Sequence, residues 1–328
     1  MKKILGLMVF ALALNGCDDG DLIQEDIDFE SITTTQSCSD NNLIYKLKDQ
    51  EAFILDIPST TFTDEDSDVI TTELSIDGST NRVIYRFYNG TVATDNICET
   101  IPPISPNVID QWTATSGTIQ IVKSAAKTVD ETTNSSRITA YNHAIVLKNV
   151  TFSKSKGGTQ VYDTFTFGTY QTTATTLPFL FDETKNLNQC TSSNDLYKFT
   201  TAEAMIFTID PTLLVNEVTT AGAPRTALIG TTTNKLTYRL FDDLLTSAYF
   251  CNATTPTTPT LNQEWLANVG TADASGTKLT GIVEVTTTTS GPNTFKHTIV
   301  LKKATLTRGN YNFSLGDSYT YGVLFTTN

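Results

Sequence analysis

The side chains with most chemistry to offer come in pairs at one spacing. Trp112 and Trp265 are 153 positions apart, His143 and His297 are 154 apart, Cys38 and Cys190 152, and Cys98 and Cys251 153. Each tryptophan could present its ring as a sugar-stacking platform, or it could cover a core beside a disulfide. One histidine per copy makes no metal site, because zinc takes three or four converging ligands; a satisfied structural imidazole is expected. Asp110 and Glu264, close to Trp112 and Trp265, are the acids that a carboxylate-based glycoside hydrolase would use, facing each other at roughly 5 to 9.5 Å. Those two acids do not align residue for residue. Tyr85-Arg86 and Tyr238-Arg239 place a cation among strand residues in both copies; alternation sends Arg and Tyr to opposite faces, so the arginines are expected on the outer face or paired with a carboxylate, with Glu51 and Glu203 as candidate partners. Asp64-Glu65-Asp66-Ser67-Asp68 looks like a calcium loop, but it lacks the glycine and the closing glutamate of an EF-hand, so a solvated loop is expected. No Gly-x-Ser-x-Gly elbow, His-Glu-x-x-His, phosphate loop or dinucleotide fingerprint occurs, so the sequence calls for no cofactor and no metal.

These pairs belong to a longer duplication. Residues from about 27 to 176 recur, diverged, from about 177 to 328. Asn42-Leu43-Ile44-Tyr45-Lys46 is echoed by Asp195-Leu196-Tyr197-Lys198, and Glu51-Ala52 by Glu203-Ala204. Val83-Ile84-Tyr85-Arg86 returns as Leu236-Thr237-Tyr238-Arg239, Ile145-Val146-Leu147-Lys148 as Ile299-Val300-Leu301-Lys302, and Phe165-Thr166-Phe167-Gly168 as Tyr319-Thr320-Tyr321-Gly322. The offset stays between 152 and 154, with a longer loop before Arg137 in one copy and extra residues before Gly276 in the other. Four cysteines allow three connectivities. Two copies of one fold should close the same bridge, which gives Cys38–Cys98 and Cys190–Cys251.

The elements that must position these residues read as β throughout. Runs such as Arg82 to Phe87, Thr118 to Val122 and Ala144 to Phe152 are rich in Val, Ile, Thr, Tyr and Phe. Asp77-Gly78, Asn89-Gly90, Gly157-Gly158 and Ser290-Gly291-Pro292 punctuate them as turns. No stretch carries a 3.6-residue apolar stripe, although short helical turns are expected near Val108 to Gln111 and Leu261 to Trp265. The expectation is an all-β chain of two tandem antiparallel β-sandwich domains, Ig-like or jelly-roll, covering 37–176 and 177–328. The short junction Thr172 to Pro178 sets them end to end with limited hinge freedom.

The N-terminus carries a different signal. Lys2 and Lys3 precede an apolar run from Ile4 to Leu14, and Leu14-Asn15-Gly16-Cys17 follows. This is the layout of an export signal, too short to span a bilayer, which takes roughly 20 residues. Leu14-x-Gly16-Cys17 resembles the lipobox of bacterial lipoproteins. The resemblance implies cleavage after residue 16 and acylation of Cys17, which would anchor the chain without crossing the membrane. Asp18-Asp19-Gly20-Asp21 resembles the surface-export signal of Bacteroidota-type lipoproteins, implying an outer-membrane, outward-facing protein. In enterobacterial lipoproteins an acid here would argue for inner-membrane retention, so a periplasm-facing protein is the alternative. Residues 17–36 read as an acidic tether.

A formal net charge of −13 argues against a nucleic-acid partner and against electrostatic docking on anionic lipid. The expectation is a non-catalytic binding or structural module of the cell envelope, with the membrane, through the lipid, and a glycan or envelope protein as partners. The alternative is a surface glycan-binding lipoprotein beside an outer-membrane transporter, similar in layout to multi-sandwich starch-binding lipoproteins. A glycoside hydrolase is the third reading.

Overall fold

The computed structural model of the chain describes residues 26–63, 68–183, 186–191 and 193–328. Cys17 with the acidic residues after it, and Asp64 to Ser67 of the calcium-like loop, lie outside the described residues.

The chain is essentially all-β and is built from antiparallel sheets. In the first half the strands are β1 (Gln36–Ser37), β2 (Leu43–Lys48), β3 (Glu51–Asp56), β4 (Thr71–Ser75), β5 (Arg82–Tyr88), β6 (Val108–Asp130), β7 (Ser135–Lys154) and β8 (Thr159–Thr173). They form one sheet in the order β1-β2-β3-β5-β6-β7-β8, with β4 paired to the far part of β6. The long strands β6, β7 and β8 curl this sheet over on itself, so their two ends belong to facing layers. Register shifts mark the bends, between Ala114 and Thr118 and between Ile145 and Val146. Bulges of this kind bend a strand and raise its twist. Gly117, at φ +129°, sits at the first; a Cβ there would lie 2.8 Å from Val150 Cα, so only glycine lets β6 and β7 approach at this bend.

The second half breaks the same path into shorter strands. These are β9 (Asn188–Gln189), β10 (Asp195–Phe199), β11 (Glu203–Thr208), β12 (Arg225–Leu228), β13 (Lys235–Phe241), β14 (Leu261–Ala267), β15 (Thr271–Ala272), β16 (Lys278–Thr280), β17 (Ile282–Thr289), β18 (Thr294–Lys302), β19 (Thr305–Arg308), β20 (Tyr311–Ser314) and β21 (Tyr319–Thr327). One sheet runs β9-β10-β11-β13-β14-β19-β20 and the other β12-β17-β18-β21, with β15-β16 a small hairpin. Each pairing within these two larger sheets has a counterpart in the first half, whereas the β15-β16 hairpin has none. β14 and β17 correspond to the two ends of β6, β18 and β19 to those of β7, and β20 and β21 to those of β8.

The helical turns expected near Val108 and Leu261 are strand instead. Val108, Asp110, Leu261 and Trp265 pair antiparallel with β5 and β13, where β-branched and aromatic side chains fit the pleat. Short helical turns stand elsewhere, at Ser59–Phe62, Asp95–Cys98, Pro211–Leu214 and Ser247–Tyr249.

Between the layers of the first half lies a core of Phe29, Phe53, Leu55, Tyr85, Trp112, Ile119, Leu147, Phe152 and Phe167. Its counterpart in the second half contains Phe207, Leu236, Tyr238, Trp265, Ile299, Leu301 and Tyr321. The disulfides lie elsewhere. Cys38–Cys98 joins a satellite cluster of Tyr45, Ile54, Ile84, Tyr88 and Ile97, and Cys190–Cys251 one of Tyr197, Phe241, Tyr249 and Phe250. Strand alternation explains the separation: Ile44 turns to the core and its neighbour Tyr45 to the satellite. Each bridge therefore staples a loop over the outer face of a sheet, and the tryptophan occupies the opposite side. An arrangement with the tryptophan beside the bridge is not what the chain adopts.

The halves are also joined more closely than an end-to-end pair. The β6–β7 hairpin extends beyond its own sheet and lies on β20. Ser135 bridges Leu315, Asp317 N–H donates to Thr133 O at 2.8 Å, and Ser314 N–H donates to Ser136 Oγ at 2.8 Å. Tyr141 packs at a tilt against Tyr311 with ring centroids 4.8 Å apart and is part of the second core. Arg137 donates to Ser314 O at 3.2 Å and lies 4.4 Å above the Phe179 ring. The longer loop noted before Arg137 is thus the device that covers the edge of the second sheet, an edge otherwise open to pairing with other chains.

Candidate functional site

The recurrent polar side chains converge on the inner faces of the two copies, and most of them satisfy one another. Tyr85 donates to Glu51 Oε2 at 3.0 Å, and Tyr238 donates to Glu203 Oε2 at 2.8 Å. The tyrosines, not the arginines, are therefore the partners of Glu51 and Glu203. Alternation explains this: Tyr85 and Tyr238 point inward with the glutamates, and the arginines that follow point out. Arg86 Nε donates to Gln111 Oε1 at 2.9 Å, and Arg239 pairs with Glu264 at 2.7 Å, which is the same contact with the acceptor changed.

Burial raises both tyrosine pKa values, with the adjacent carboxylate adding to the effect. Burial likewise holds Glu51 above the usual carboxylate range, opposed by its bond from Tyr85. Glu203, only 1% exposed, is further bound by the backbone N–H groups of Phe179 and Leu180 at 2.8 and 2.6 Å. It ties the start of the second half to its own sheet.

Trp112 and Trp265 are each 1% exposed, so neither ring offers a face to a ligand. The stacking role considered for them is corrected: both are core residues whose indole N–H is satisfied two residues away. Trp112 donates to Asp110 Oδ2 at 3.1 Å and Trp265 to Gln263 Oε1 at 3.0 Å. Asp110 also accepts from Ser155. With Asp110 held by its tryptophan and Glu264 by Arg239, the two acids serve different halves and do not form a facing pair.

His143 and His297 are fully buried. His143 Nε2 meets Thr172 Oγ1 at 2.9 Å; His297 meets Thr326 and Thr287 at 2.8 Å each. Burial, assisted by Lys123, pushes His143 down to about 4, and burial with Arg225 lowers His297, so both rings are neutral near pH 7. Among the described residues no cluster of three or more His, Cys, Asp or Glu is placed to hold a metal ion.

The chemically distinctive pair is one that sequence reasoning passed over, Lys46 and Lys198. Each stands on the core side of its strand, 3% and 8% exposed, where a lysine is rarely found. Recurrence of a lysine inside an apolar strand motif was the available signal. Lys46 Nζ donates to Phe29 O at 3.2 Å. Lys198 Nζ donates to Tyr319 Oη at 3.0 Å and lies within about 5 Å of the ring centres of Phe181, Tyr319 and Tyr321. Burial lowers both lysines, Lys198 to about 8, against the opposing pull of Glu183, Glu203 and Asp182.

Both lysines line cavities roofed by the segment that enters each copy, of about 500 Å³ over Lys46 and about 700 Å³ over Lys198. The second, lined also by Leu180, Asp182, Asn188 and Thr200, is of the size of a small-ligand site. It could take a small molecule with an acceptor for Lys198 and apolar surface for the rings.

The chain matches no family model, and neither a curated protein nor a solved structure was found to be similar to it.

Proposed function

We propose that the protein is an exported, lipid-anchored module of the cell envelope, a Bacteroidota-type surface lipoprotein that binds or scaffolds and does not catalyse. Its body is two tandem β-sandwich units descended from one ancestral unit by duplication. The strand pairings that recur in both halves support the duplication. The export signal and Leu14-x-Gly16-Cys17 support the anchor, with residues 1–16 removed and 17–36 as the tether.

One observation carries the reading: the two bridges, Cys38–Cys98 and Cys190–Cys251, close at equivalent places on the outer sheet faces. Disulfides of this kind persist in oxidising compartments outside the cytosol. The side chains common to both copies, Glu51/Glu203 with Tyr85/Tyr238 and His143/His297 with their threonines, hold the units together internally. That use of the shared polar groups favours a scaffold over a catalyst. The glycan-binding alternative loses its two platforms with the burial of Trp112 and Trp265.

Metabolic labelling with a fatty acid tests the anchor: label is expected on the wild type and lost in Cys17→Ala. Protease treatment of intact cells tests orientation, with digestion expected for an outward-facing protein and protection for a periplasm-facing one. Label on neither protein would refute the anchor.

A further inference from the structure

Lys198 and the cavity it lines have no part in the envelope reading, and the fold does not need a lysine there. An ammonium withdrawn from water loses its hydration, so an apolar side chain of similar length would fill the place at lower cost. The lysine nonetheless stands in both copies, after Ile44-Tyr45 in one and after Leu196-Tyr197 in the other. A side chain that weakens the fold and is kept in both copies points to a use other than stability.

The two lysines are held differently. Lys46 Nζ donates to Phe29 O, a carbonyl of the entering segment, and a Cβ on Gly168 would stand 3.4 Å from that nitrogen. Lys198 Nζ has one hydrogen-bond partner among the described residues, Tyr319 Oη at 3.0 Å, and that hydroxyl donates its own proton to Met205 Sδ at 3.5 Å. Tyr319 thus fixes the amine by accepting from it and has no proton to give it. The other positions on the nitrogen, a lone pair among them when it is neutral, are open to a group in the cavity of about 700 Å³ that Lys198 lines. Burial brings its pKa to about 8, so about a tenth is free base at pH 7, against fewer than about one in a thousand for a lysine at 10.5. Buried lysines of this kind serve as amine nucleophiles.

The surroundings select the ligand. Glu183, Glu203 and Asp182 all act electrostatically on Lys198, and the last two line the cavity with it. An anion entering there would meet three carboxylates against one amine, so the charge balance favours an uncharged molecule. Leu180, Phe181 and Phe199 supply apolar wall, and the volume is that of a small-ligand site.

We propose that Lys198 captures a small uncharged aldehyde or ketone in this cavity as an imine. The Nζ lone pair attacks the carbonyl carbon, the carbonyl π pair passes to oxygen, and one proton moves from nitrogen to that oxygen through water. The resulting hydroxyl takes a second proton and leaves as water while the nitrogen lone pair closes the C=N bond. The iminium then returns that proton to solvent. Amine and carbonyl give imine and water, with no oxidant or reductant. The capture is stoichiometric and reversible, so it adds a ligand to the molecule without making it a catalyst, and it does not depend on the anchor at Cys17.

The test uses the purified full chain at pH 7 with a limiting amount of benzaldehyde and with sodium cyanoborohydride, which reduces the imine to a stable benzylamine. The labelled lysines are mapped by peptide mass. Lys198 is expected to carry about ten times the label of any other lysine, Lys46 included. Lys198→Met is expected to fold and to lose that label while the slow labelling of exposed lysines continues. 4-Carboxybenzaldehyde, the same ring with a negative charge, is expected to label Lys198 about tenfold less than benzaldehyde does. Label on Lys198 no greater than on exposed lysines would overturn the capture. Equal label on Lys46 would overturn the part given to the second cavity, and equal label from both aldehydes would overturn the choice of an uncharged ligand.

Discussion

Lys198 is the residue whose environment is most at odds with its chemistry. Its ammonium is enclosed by three aromatic rings, and burial brings its pKa from 10.5 to about 8. A base whose folded pKa is depressed binds fewer protons folded than unfolded between the two values. Stability should therefore rise as pH climbs from about 8 towards 10.5, and the cost of holding the charge, about 3 kcal/mol, is fully present below pH 8. Lys198→Met is expected to be more stable than the wild type at pH 7, with the difference shrinking to nothing by the upper end of that window. Urea unfolding at a series of pH values measures it. The two glutamates give a second comparison. Glu203→Ala would leave Tyr238 and two backbone donors without their acceptor, at a cost of about 3 kcal/mol, against about 1 kcal/mol for Glu51→Ala, which strands Tyr85 alone. Equal losses would show that the extra bonds to Phe179 and Leu180 contribute nothing.

At the scale of elements, each disulfide closes a loop of 60 or 61 residues over a satellite cluster. In the chain-entropy view that closure is worth about 4 kcal/mol. Cys38→Ser with Cys98→Ser is expected to lower stability by about that amount, and Cys190→Ser with Cys251→Ser to match it. The bridges and their partners were legible in the sequence because cysteine, tryptophan and histidine are rare, so each recurrence at one offset carries weight. The β class was legible from the Val, Ile, Thr and aromatic runs. The strand starts at Val108 and Leu261 were misread because their neighbours Asp110, Gln111, Asn262 and Gln263 interrupt the apolar alternation, while their pairing partners lie far away in the chain. The opposite faces of tyrosine and arginine were legible from alternation, but that Glu51 and Glu203 bond the tyrosines needed the register of β3 against β5 and of β11 against β13. The lysine cavities were hidden because a strand motif does not reveal what roofs it.

The whole molecule is set by a contact that no local pattern announces. The β6–β7 hairpin meets β20 across about 180 residues of chain, and Tyr141 joins a core made otherwise by the second half and the junction leading into it. The two units are therefore expected to unfold together in one transition. Arg137→Ala with Tyr141→Ala, which removes the tilted ring contact and the Ser314 bond, should cost about 3 kcal/mol and split calorimetric unfolding into two steps. A wild type that already melts in two steps would show that the hairpin does not couple them. At this scale belongs the proposal that two bridged units stand outside the cytosol on a lipid fixed at Cys17. The most direct measurement is the mass of the N-terminal peptide of the protein taken from its own cells. A chain that begins at Cys17 and carries acyl mass on that residue is expected. A chain that keeps Met1 to Gly16, or that begins beyond Cys17 with no lipid, would contradict it.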